Sequence, residues 1–216
     1  MPSPLLTFAV KEESRPFQRL VAGHPGLRIL LTGMGASNAE RSVRAALAEG
    51  SPAIVLTCGF AGGLNPELQT GTVVFSADKD FSLTSALLAA DARLATFHCA
   101  ERVAVTIEEK RAFLEKTGAD AVEMESGVIR AICGERGIPS ATVRVISDPA
   151  DEDLPLDFNQ LMDAQQNLSL RRLAFALLSA PWKIGDLLKL QKNTHAAAEN
   201  LAGVLARIIS DRALEG

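Results

Sequence analysis

Six short apolar runs in the first two thirds of the chain constrain the fold more than any other feature of the sequence. Most of them are continuously apolar rather than alternating with polar residues. Such runs are typical of strands that are buried on both faces of a sheet. The pattern therefore predicts a sheet that is covered by helices on both sides. The runs are Leu5–Val10, Leu27–Thr32, Ala53–Cys58, Thr72–Ala77, Arg102–Thr106 and Ala141–Ile146.

Helical patterns occupy segments between and after these runs. The spacing of apolar residues predicts helices over Ser37–Glu49, Glu108–Lys116 and Glu125–Arg136. Strands that alternate with helices are typical of an α/β domain. We therefore expect a three-layer α/β/α arrangement with the sheet in the middle.

The pattern changes after Asp151, where an acidic segment containing Pro155 predicts a loop. No strand pattern returns beyond this loop. Leu168–Leu178 and Trp182–Ile209 predict two helices, and Pro181 separates them. We expect a single domain over residues 1–216, in which a helical tail, residues 160–216, packs on the α/β body.

Charge and composition exclude several classes of function. Lys and Arg total 22 and Asp and Glu total 26, so the net charge is −4 and there is no basic excess of the kind that nucleic-acid binding favours. The three cysteines and three histidines stand far apart with no C-x-x-C pair, so we expect neither a metal site nor a resident cofactor. No apolar run is long enough to span a bilayer and no secretory signal is evident, which predicts a cytoplasmic protein.

Carboxylates follow three of the apolar segments, at the position where sites form in α/β sheets. Glu12 and Glu13 follow the first, Glu123 and Glu125 follow Ala-Val at 121–122, and Asp148 follows the last. Each also has a purely structural interpretation: a solvated first helical turn, a carboxylate favoured at a helix start, and an Asx turn. Only their common place at strand ends points to a shared site.

Two glycine-bearing turns lie near these carboxylates, one at Gly33-Met34-Gly35 and one at residues 59–63. Glycine allows a positive φ and a close approach of the backbone to a ligand. The first turn does not complete G-x-G-x-x-G, because Asn38 occupies the last position. A dinucleotide-dependent oxidoreductase is therefore a weak interpretation.

The order of the motifs resembles the purine nucleoside phosphorylase and methylthioadenosine/S-adenosylhomocysteine nucleosidase superfamily. The resemblance runs from about Leu5 to about Asp157, and six segments carry it. They are FAVKEE from Phe8, GMG from Gly33, TCGFAGGL from Thr57, GTVV from Gly71, AVEMES from Ala121 and RVISDPAD from Arg144. It implies a mixed, partly barrel-like sheet flanked by helices, homo-oligomers and a purine nucleoside substrate. The last segment and the helical tail are most similar to the hopanoid-associated phosphorylase branch, which is expected to act on adenosylhopane, a purine nucleoside with a lipid on its 5′ carbon.

The resemblance also implies a role for individual residues. Glu13 is expected to activate the attacking group and Asp148 to donate a proton to purine N7, for which Asp148 has to be protonated near neutral pH. Glu125 is expected to bind the ribose hydroxyls, with Met124 beside the sugar. The turn that contacts the substrate comprises Gly59, Phe60 and Ala61.

Two departures from the family pattern leave the co-substrate open. Phe60 replaces a serine of the family turn, and Thr57 replaces an arginine found in the hexameric phosphorylases. A phosphate co-substrate then needs other groups, for which Gly35, Arg15 and Arg41 are weak candidates, since solvated helix arginines are an equally good interpretation. Water is the other co-substrate. A non-catalytic nucleoside sensor or carrier on the same fold is the alternative function.

The tail combines apolar residues with basic ones around Trp182, including Arg171, Arg172, Lys183 and Lys189. A basic and apolar helix pair can lie on an anionic membrane surface with tryptophan at the interface. The same residues can instead pack on the sheet or form a subunit interface. We therefore expect a cytoplasmic protein with a peripheral membrane contact as one use of its tail.

Overall fold

The computed structural model describes residues 3–22, 24, 26–163 and 169–214. Eight strands lie in these ranges: β1 (Leu5–Phe8), β2 (Arg28–Leu31), β3 (Val55–Gly63), β4 (Val73–Ala77), β5 (Arg93–Leu94), β6 (Phe97–Cys99), β7 (Ala121–Glu123) and β8 (Ser140–Asp148). The α-helices of the same ranges are α1 (Lys11–Leu20), α2 (Ala36–Ala48), α3 (Thr84–Ala89), α4 (Ile107–Thr117), α5 (Ser126–Glu135), α6 (Phe158–Leu161), α7 (Leu170–Ser179) and α8 (Ile184–Leu214). A short 3₁₀ helix, Pro181–Lys183, joins α7 to α8.

The strands form one mixed sheet in the order β2-β1-β3-β8-β4-β5. Strands β2, β1, β3 and β8 run parallel, whereas β4 is antiparallel to β8. The long β3 pairs with β1 over its first three residues and with antiparallel β7 at its end, where Gly62 lies opposite Val122. Strand β7 in turn carries β6. This branch of the sheet confirms the predicted mixed, partly barrel-like architecture.

Helices cover both faces of the sheet, as the continuous apolar runs predict. Leu5 packs with Val43 of α2 and Ile129 of α5. Its neighbour Leu6 faces the opposite side and belongs to the cluster that includes Phe17 of α1. Both leucines of β1 are fully buried because each face of the strand has its own helical layer. The predicted three-layer arrangement is confirmed.

The helical tail divides into a packed part and an exposed part. The middle of α8 buries Ala197, Leu201 and Leu205 against the same layer as α1 and α3. By contrast, Phe175 of α7 and Trp182 of the 3₁₀ helix are exposed. Within the described ranges, no helix combines the length and the apolar character needed to cross a bilayer.

One predicted strand is wrong, and several elements differ at their ends. Arg102–Thr106 is not a strand, because its amides bond to side chains: Val103 to Asn159 Oδ1 and Val105 to Glu109 Oε2. The short strands β5 and β6 were not predicted, since two or three residues carry no clear period, whereas β7 contains the Ala-Val pair at 121–122 after which the carboxylates were expected. The predicted start of the first tail helix, Leu168, lies outside the described residues.

Candidate functional site

A cavity of about 200 Å³ lies where β1, β3 and β8 reach their carboxyl ends and β7 turns into α5. The antiparallel β7 reaches the same region because it pairs with the end of β3. The three groups of carboxylates that follow separate segments of the sequence therefore meet. Six of the predicted site residues line the cavity: Glu13, Phe60, Ala61, Met124, Glu125 and Asp148.

Glu13 lies in the first turn of α1 and is 5% exposed. Its Oε2 accepts hydrogen bonds from the amides of Ala9 at 2.9 Å and Val10 at 3.1 Å, and its Oε1 accepts one from the amide of Phe60 at 2.9 Å. Burial raises the pKa of Glu13 to about 7, although nearby Arg144 and these amides lower it. A carboxylate with this pKa exchanges a proton near neutrality, as a general base requires.

Glu125 is the residue that precedes α5 and is also buried. Its Oε1 accepts a hydrogen bond from the amide of Gly35 at 2.8 Å, and its Oε2 accepts one from Arg144 Nη2 at 3.3 Å. Gly35 has a φ of +80°, which favours glycine and turns its amide toward the carboxylate. Burial raises the pKa of Glu125, and the charge of Glu123 adds to this, against the effect of Arg144.

Arg144 provides the positive charge at the centre of the carboxylate cluster. It lies in β8, is fully buried, and donates to Glu123 Oε2 at 2.5 Å and to the carbonyl of Cys58 at 3.1 Å. Burial opposes its charge, but Glu123, Glu125 and Glu13 hold the pKa of Arg144 above its usual value. The guanidinium therefore stays charged and fixes the carboxylates around it.

Glu123 ends β7 and anchors the turn into α5. It accepts hydrogen bonds from the amide of Glu125 at 3.0 Å and from the amide of Ser126 at 2.8 Å. Burial alone raises its pKa, but Arg144 and Ser126 together hold the pKa of Glu123 below its ordinary value. Arg144 and Ser126 thus favour the ionised form of Glu123, whereas burial dominates at Glu13 and Glu125 and raises their pKa values.

Asp148 ends β8 on another wall of the cavity and is 9% exposed. Its Oδ1 accepts a hydrogen bond from Ser147 Oγ at 2.6 Å, and its Oδ2 lies 2.7 Å from Nζ of Lys110. Lys110 comes from α4 and is 1% exposed. The candidate acid is therefore one half of a buried ion pair.

Gly59 lets the backbone pass between two charged groups. Its φ is +149°, and a Cβ built there lies 2.5 Å from Arg144 Nη1 and 2.6 Å from Glu13 Oε1. Glycine is the residue that fits, because any side chain collides with both groups.

The three candidate phosphate groups are not brought together at the cavity. The Gly35 amide is already bonded to Glu125. Arg15 is exposed on α1 and lines a separate cavity of about 720 Å³ between α1 and α8. Arg41 is exposed on α2 and donates to Asn38 Oδ1 at 2.7 Å.

Two charged residues of the site, Arg144 and Lys110, were not identified from the sequence. The sequence does contain a signal for Arg144, because this arginine interrupts the apolar run Ala141–Ile146, which predicts a strand that is buried on both faces. The signal for the second is weak, because α4 contains several other charged residues and Lys110 does not stand out among them.

Comparisons with known proteins agree with this architecture. A 5′-methylthioadenosine/S-adenosylhomocysteine nucleosidase from Marinomonas sp. (strain MWYL1) is 30% identical over 177 residues, which cover 66% of this chain and 77% of that protein. The structure of futalosine hydrolase from Helicobacter pylori superposes with a TM-score of 0.71 at 15% identity and covers 97% of this chain and 98% of its own. A nucleosidase from Neisseria meningitidis, in complex with methylthio-immucillin-A, has a TM-score of 0.69 at 18% identity, over 98% of this chain and 100% of its own.

A family model covers most of the chain as well. The model described as "Phosphorylase superfamily" matches residues 8–91 and 75–210. These two ranges contain β2 to β8, the end of β1, and the four carboxylates that line the cavity, which are Glu13, Glu123, Glu125 and Asp148. The sheet, the cavity and the matched ranges lead to one conclusion: this chain belongs to the phosphorylase superfamily.

Proposed function

We propose that this protein cleaves the N-glycosidic bond of a purine nucleoside and uses water as the attacking group. The observation that carries the proposal is the buried carboxylate of Glu13, whose pKa is about 7, in the same cavity as Glu125 and Asp148. Breaking this bond develops positive charge on the sugar and negative charge on the departing base. The three carboxylates match these demands.

Each residue has one task in this reaction. Glu13, held by three backbone amides, takes a proton from water as the oxygen approaches the sugar carbon. Glu125 binds the ribose hydroxyls, and its negative charge stabilises the cationic sugar. Asp148 directs a proton to N7 of the base, so that the base leaves without a negative charge.

The charges around the cavity favour water over phosphate. Glu13, Glu123 and Glu125 surround the guanidinium of Arg144. An arginine that lines the cavity, Arg102, is already paired with Glu109, so an incoming phosphate dianion meets an excess of negative charge. Water in turn needs a base to remove its proton, and Glu13 supplies one. The nucleosidase and hydrolase relatives support the same choice.

The proposed substrate is an adenosine that is modified at its 5′ carbon. The curated relatives support this class, since methylthioadenosine and S-adenosylhomocysteine are both 5′-modified adenosines. A role in hopanoid biosynthesis with adenosylhopane is the finer form of the proposal, and it rests on the ISDPAD segment and the helical tail. We also propose that the protein works as a homo-oligomer, which light scattering after gel filtration can test.

The test is release of free adenine from methylthioadenosine and from a 5′-alkyl adenosine, each with and without phosphate. We expect adenine and a reducing sugar in the absence of phosphate. Adenine release that requires phosphate, with ribose 1-phosphate chemistry in the product, overturns the choice of water. Binding of the nucleoside without turnover supports the alternative of a sensor or carrier. The replacement of the family serine by Phe60 is the observation that favours this alternative.

Asp148→Asn is the matched variant for the same assay. It keeps the size and an oxygen for Ser147 but has no acidic proton to pass on. We expect it to lose nearly all turnover, while circular dichroism shows the fold unchanged. Activity within threefold of wild type contradicts the role of Asp148.

A further inference from the structure

Lys110 is a charged residue whose side chain is almost completely buried, although it lies on a helix at the surface. It is the buried residue of α4, at 1% exposed, whereas the other charged residues of this helix are half-buried or exposed. Its Nζ lies 2.7 Å from Asp148 Oδ2 and donates to the carbonyls of Pro149 at 2.6 Å and Glu152 at 2.8 Å. These three partners match the three hydrogens of an ammonium group.

Packing alone does not explain a lysine at this position. Removing an ammonium from water is costly, and replacing a buried ion pair by apolar side chains is often neutral or stabilising. An apolar pair at these two positions would therefore be no less stable, whereas the loss of one partner alone leaves the other charge buried and unpaired. A buried ammonium at this position therefore indicates a role in the reaction, because it contacts Asp148, the candidate acid.

The contacts of Asp148 identify that use. Both of its oxygens accept hydrogens, Oδ1 from Ser147 Oγ and Oδ2 from the ammonium, which is the pattern of an ionised carboxylate. An ionised Asp148 has no proton of its own to give to the purine. Of the two groups that donate to Asp148, the ammonium of Lys110 is a far stronger acid than the hydroxyl of Ser147, so the proton available to the base through Asp148 is the one on Lys110.

We propose that Lys110 and Asp148 act as one acid, in which Lys110 supplies the proton and Asp148 passes it to N7. This inference rests on the proposed function. As the bond between C1′ and N9 breaks, its electron pair goes to the purine, a proton moves from Nζ to Oδ2, and the proton on Oδ2 moves to N7. Water adds its hydroxide to C1′ and its proton to Glu13. Lys110 ends as a neutral amine, Asp148 as a carboxylate, and solvent restores both Lys110 and Glu13.

A structural role for Lys110 makes different predictions from this one. Because Lys110 bonds to two carbonyls of the loop after β8, its loss can also displace Asp148. Displacement lowers activity toward every substrate and at every pH by a similar factor. Loss of a proton source lowers activity only where the base has to be protonated on leaving.

The experiment compares two substrates in the wild type and in Lys110→Met. One is the nucleoside that gives adenine in the hydrolysis assay, and the other is its 7-methyl derivative, whose base is already cationic and leaves without a proton on N7. We expect kcat/KM on the first substrate to fall by about 10²- to 10⁴-fold, the usual contribution of a general acid. On the methylated substrate we expect a change of less than about threefold.

Two further variants sharpen this comparison. Lys110→Arg keeps the positive charge but does not release its proton. It should therefore lose activity on the ordinary nucleoside and keep its activity on the 7-methyl derivative. Lys116→Met, an exposed lysine on the same helix, should leave both activities unchanged. An equal loss on both substrates, or no loss on the ordinary one, overturns the proposal.

The pH profile gives a second readout that does not depend on the methylated substrate. Without its ammonium, Asp148 has to gain a proton from solvent, so the ratio of kcat/KM in Lys110→Met to that in wild type should rise as the pH falls from 7 to 5. A constant ratio overturns the proposal. If the wild type cleaves no nucleoside at all, the proposed function fails and this inference fails with it, which is a different result from a failure of the variants alone.

Discussion

The carboxylate of Glu13 accepts a hydrogen bond from the backbone amide of Phe60 at 2.9 Å, across 47 residues of sequence. This bond joins the first turn of α1 to β3 at the wall of the cavity. The amides of Ala9 and Val10 hold the other oxygen, so the side chain keeps one orientation, and Glu13 is almost completely buried. The result is a fixed carboxylate with a raised pKa.

The pH dependence of activity follows from this environment. As a base, Glu13 works only when it is ionised, and its pKa is about 7. We therefore expect kcat/KM to fall as the pH drops below about 7, by tenfold for each further pH unit. Glu13→Gln should be nearly inactive at every pH. A wild-type plateau that extends down to pH 5 contradicts the assignment.

The stability of the protein should depend on the same proton. In the unfolded chain Glu13 loses its proton near its ordinary pKa of 4.5, whereas the folded protein keeps it up to about 7. The folded state therefore binds more protons in this window, and the contribution of Glu13 to stability falls as the pH rises from 4.5 to about 7. Glu13→Gln removes this contribution. The Tm of the variant relative to wild type should rise across that window and stay constant above it, as thermal denaturation by circular dichroism can measure.

Glu125→Gln should separate the charge of this residue from its hydrogen bonds. The amide keeps an oxygen for the Gly35 amide but loses the negative charge that favours a cationic sugar. We expect kcat to fall by about 10²-fold or more, with a smaller rise in KM, as for an interaction made mainly in the transition state. If KM alone changes, Glu125 is a ribose anchor and nothing more.

Gly59→Ala tests the close approach of β3 to the charged cluster. The new Cβ has to displace Arg144 or Glu13, and the φ of +149° is unfavourable for alanine. We expect a loss of more than about 1 kcal/mol in the free energy of unfolding and a loss of most activity. Gly134→Ala is the control: it lies in α5 with open space around it, and should be neutral or stabilise by up to about 1 kcal/mol. Equal effects of the two substitutions contradict the role of Gly59.

The sequence predicted the strands that form the centre of the sheet because their apolar runs are long enough to show that both faces are buried. It predicted that Glu13, Glu125 and Asp148 lie at strand ends, and the structure brings these three side chains to one cavity. It did not predict the partners that set their charges. Arg144 lies on β8, the strand that ends at Asp148, where it interrupts an apolar run. Lys110 lies on α4, where the hydrophobic pattern does not distinguish it from the exposed charged residues of that helix. The pairing of β7 with β3 was not predicted either, since it depends on contacts with the end of β3.

The exposed part of the tail provides the last prediction. Phe175 is 72% exposed, Leu178 is 82% exposed and Trp182 is 74% exposed, and the basic residues Lys183 and Lys189 are close to them in sequence. Large exposed apolar side chains beside lysines favour an anionic membrane surface. We propose that this segment places the protein on such a surface, where a nucleoside with a lipid on its 5′ carbon is found.

Liposome flotation at low salt tests this contact directly. Wild-type protein should float with vesicles that contain anionic lipid and should float less as salt is added, because salt screens the lysines. Trp182→Ala combined with Lys183→Glu should stay in the soluble fraction, whereas Lys79→Glu, which changes an exposed lysine outside the tail, should float as wild type does. If the wild type itself stays soluble at low salt, the tail does not bind membranes. The exposed apolar residues are then better explained as a subunit interface. Light scattering tests this alternative, because a variant at Trp182 should then lose the oligomer.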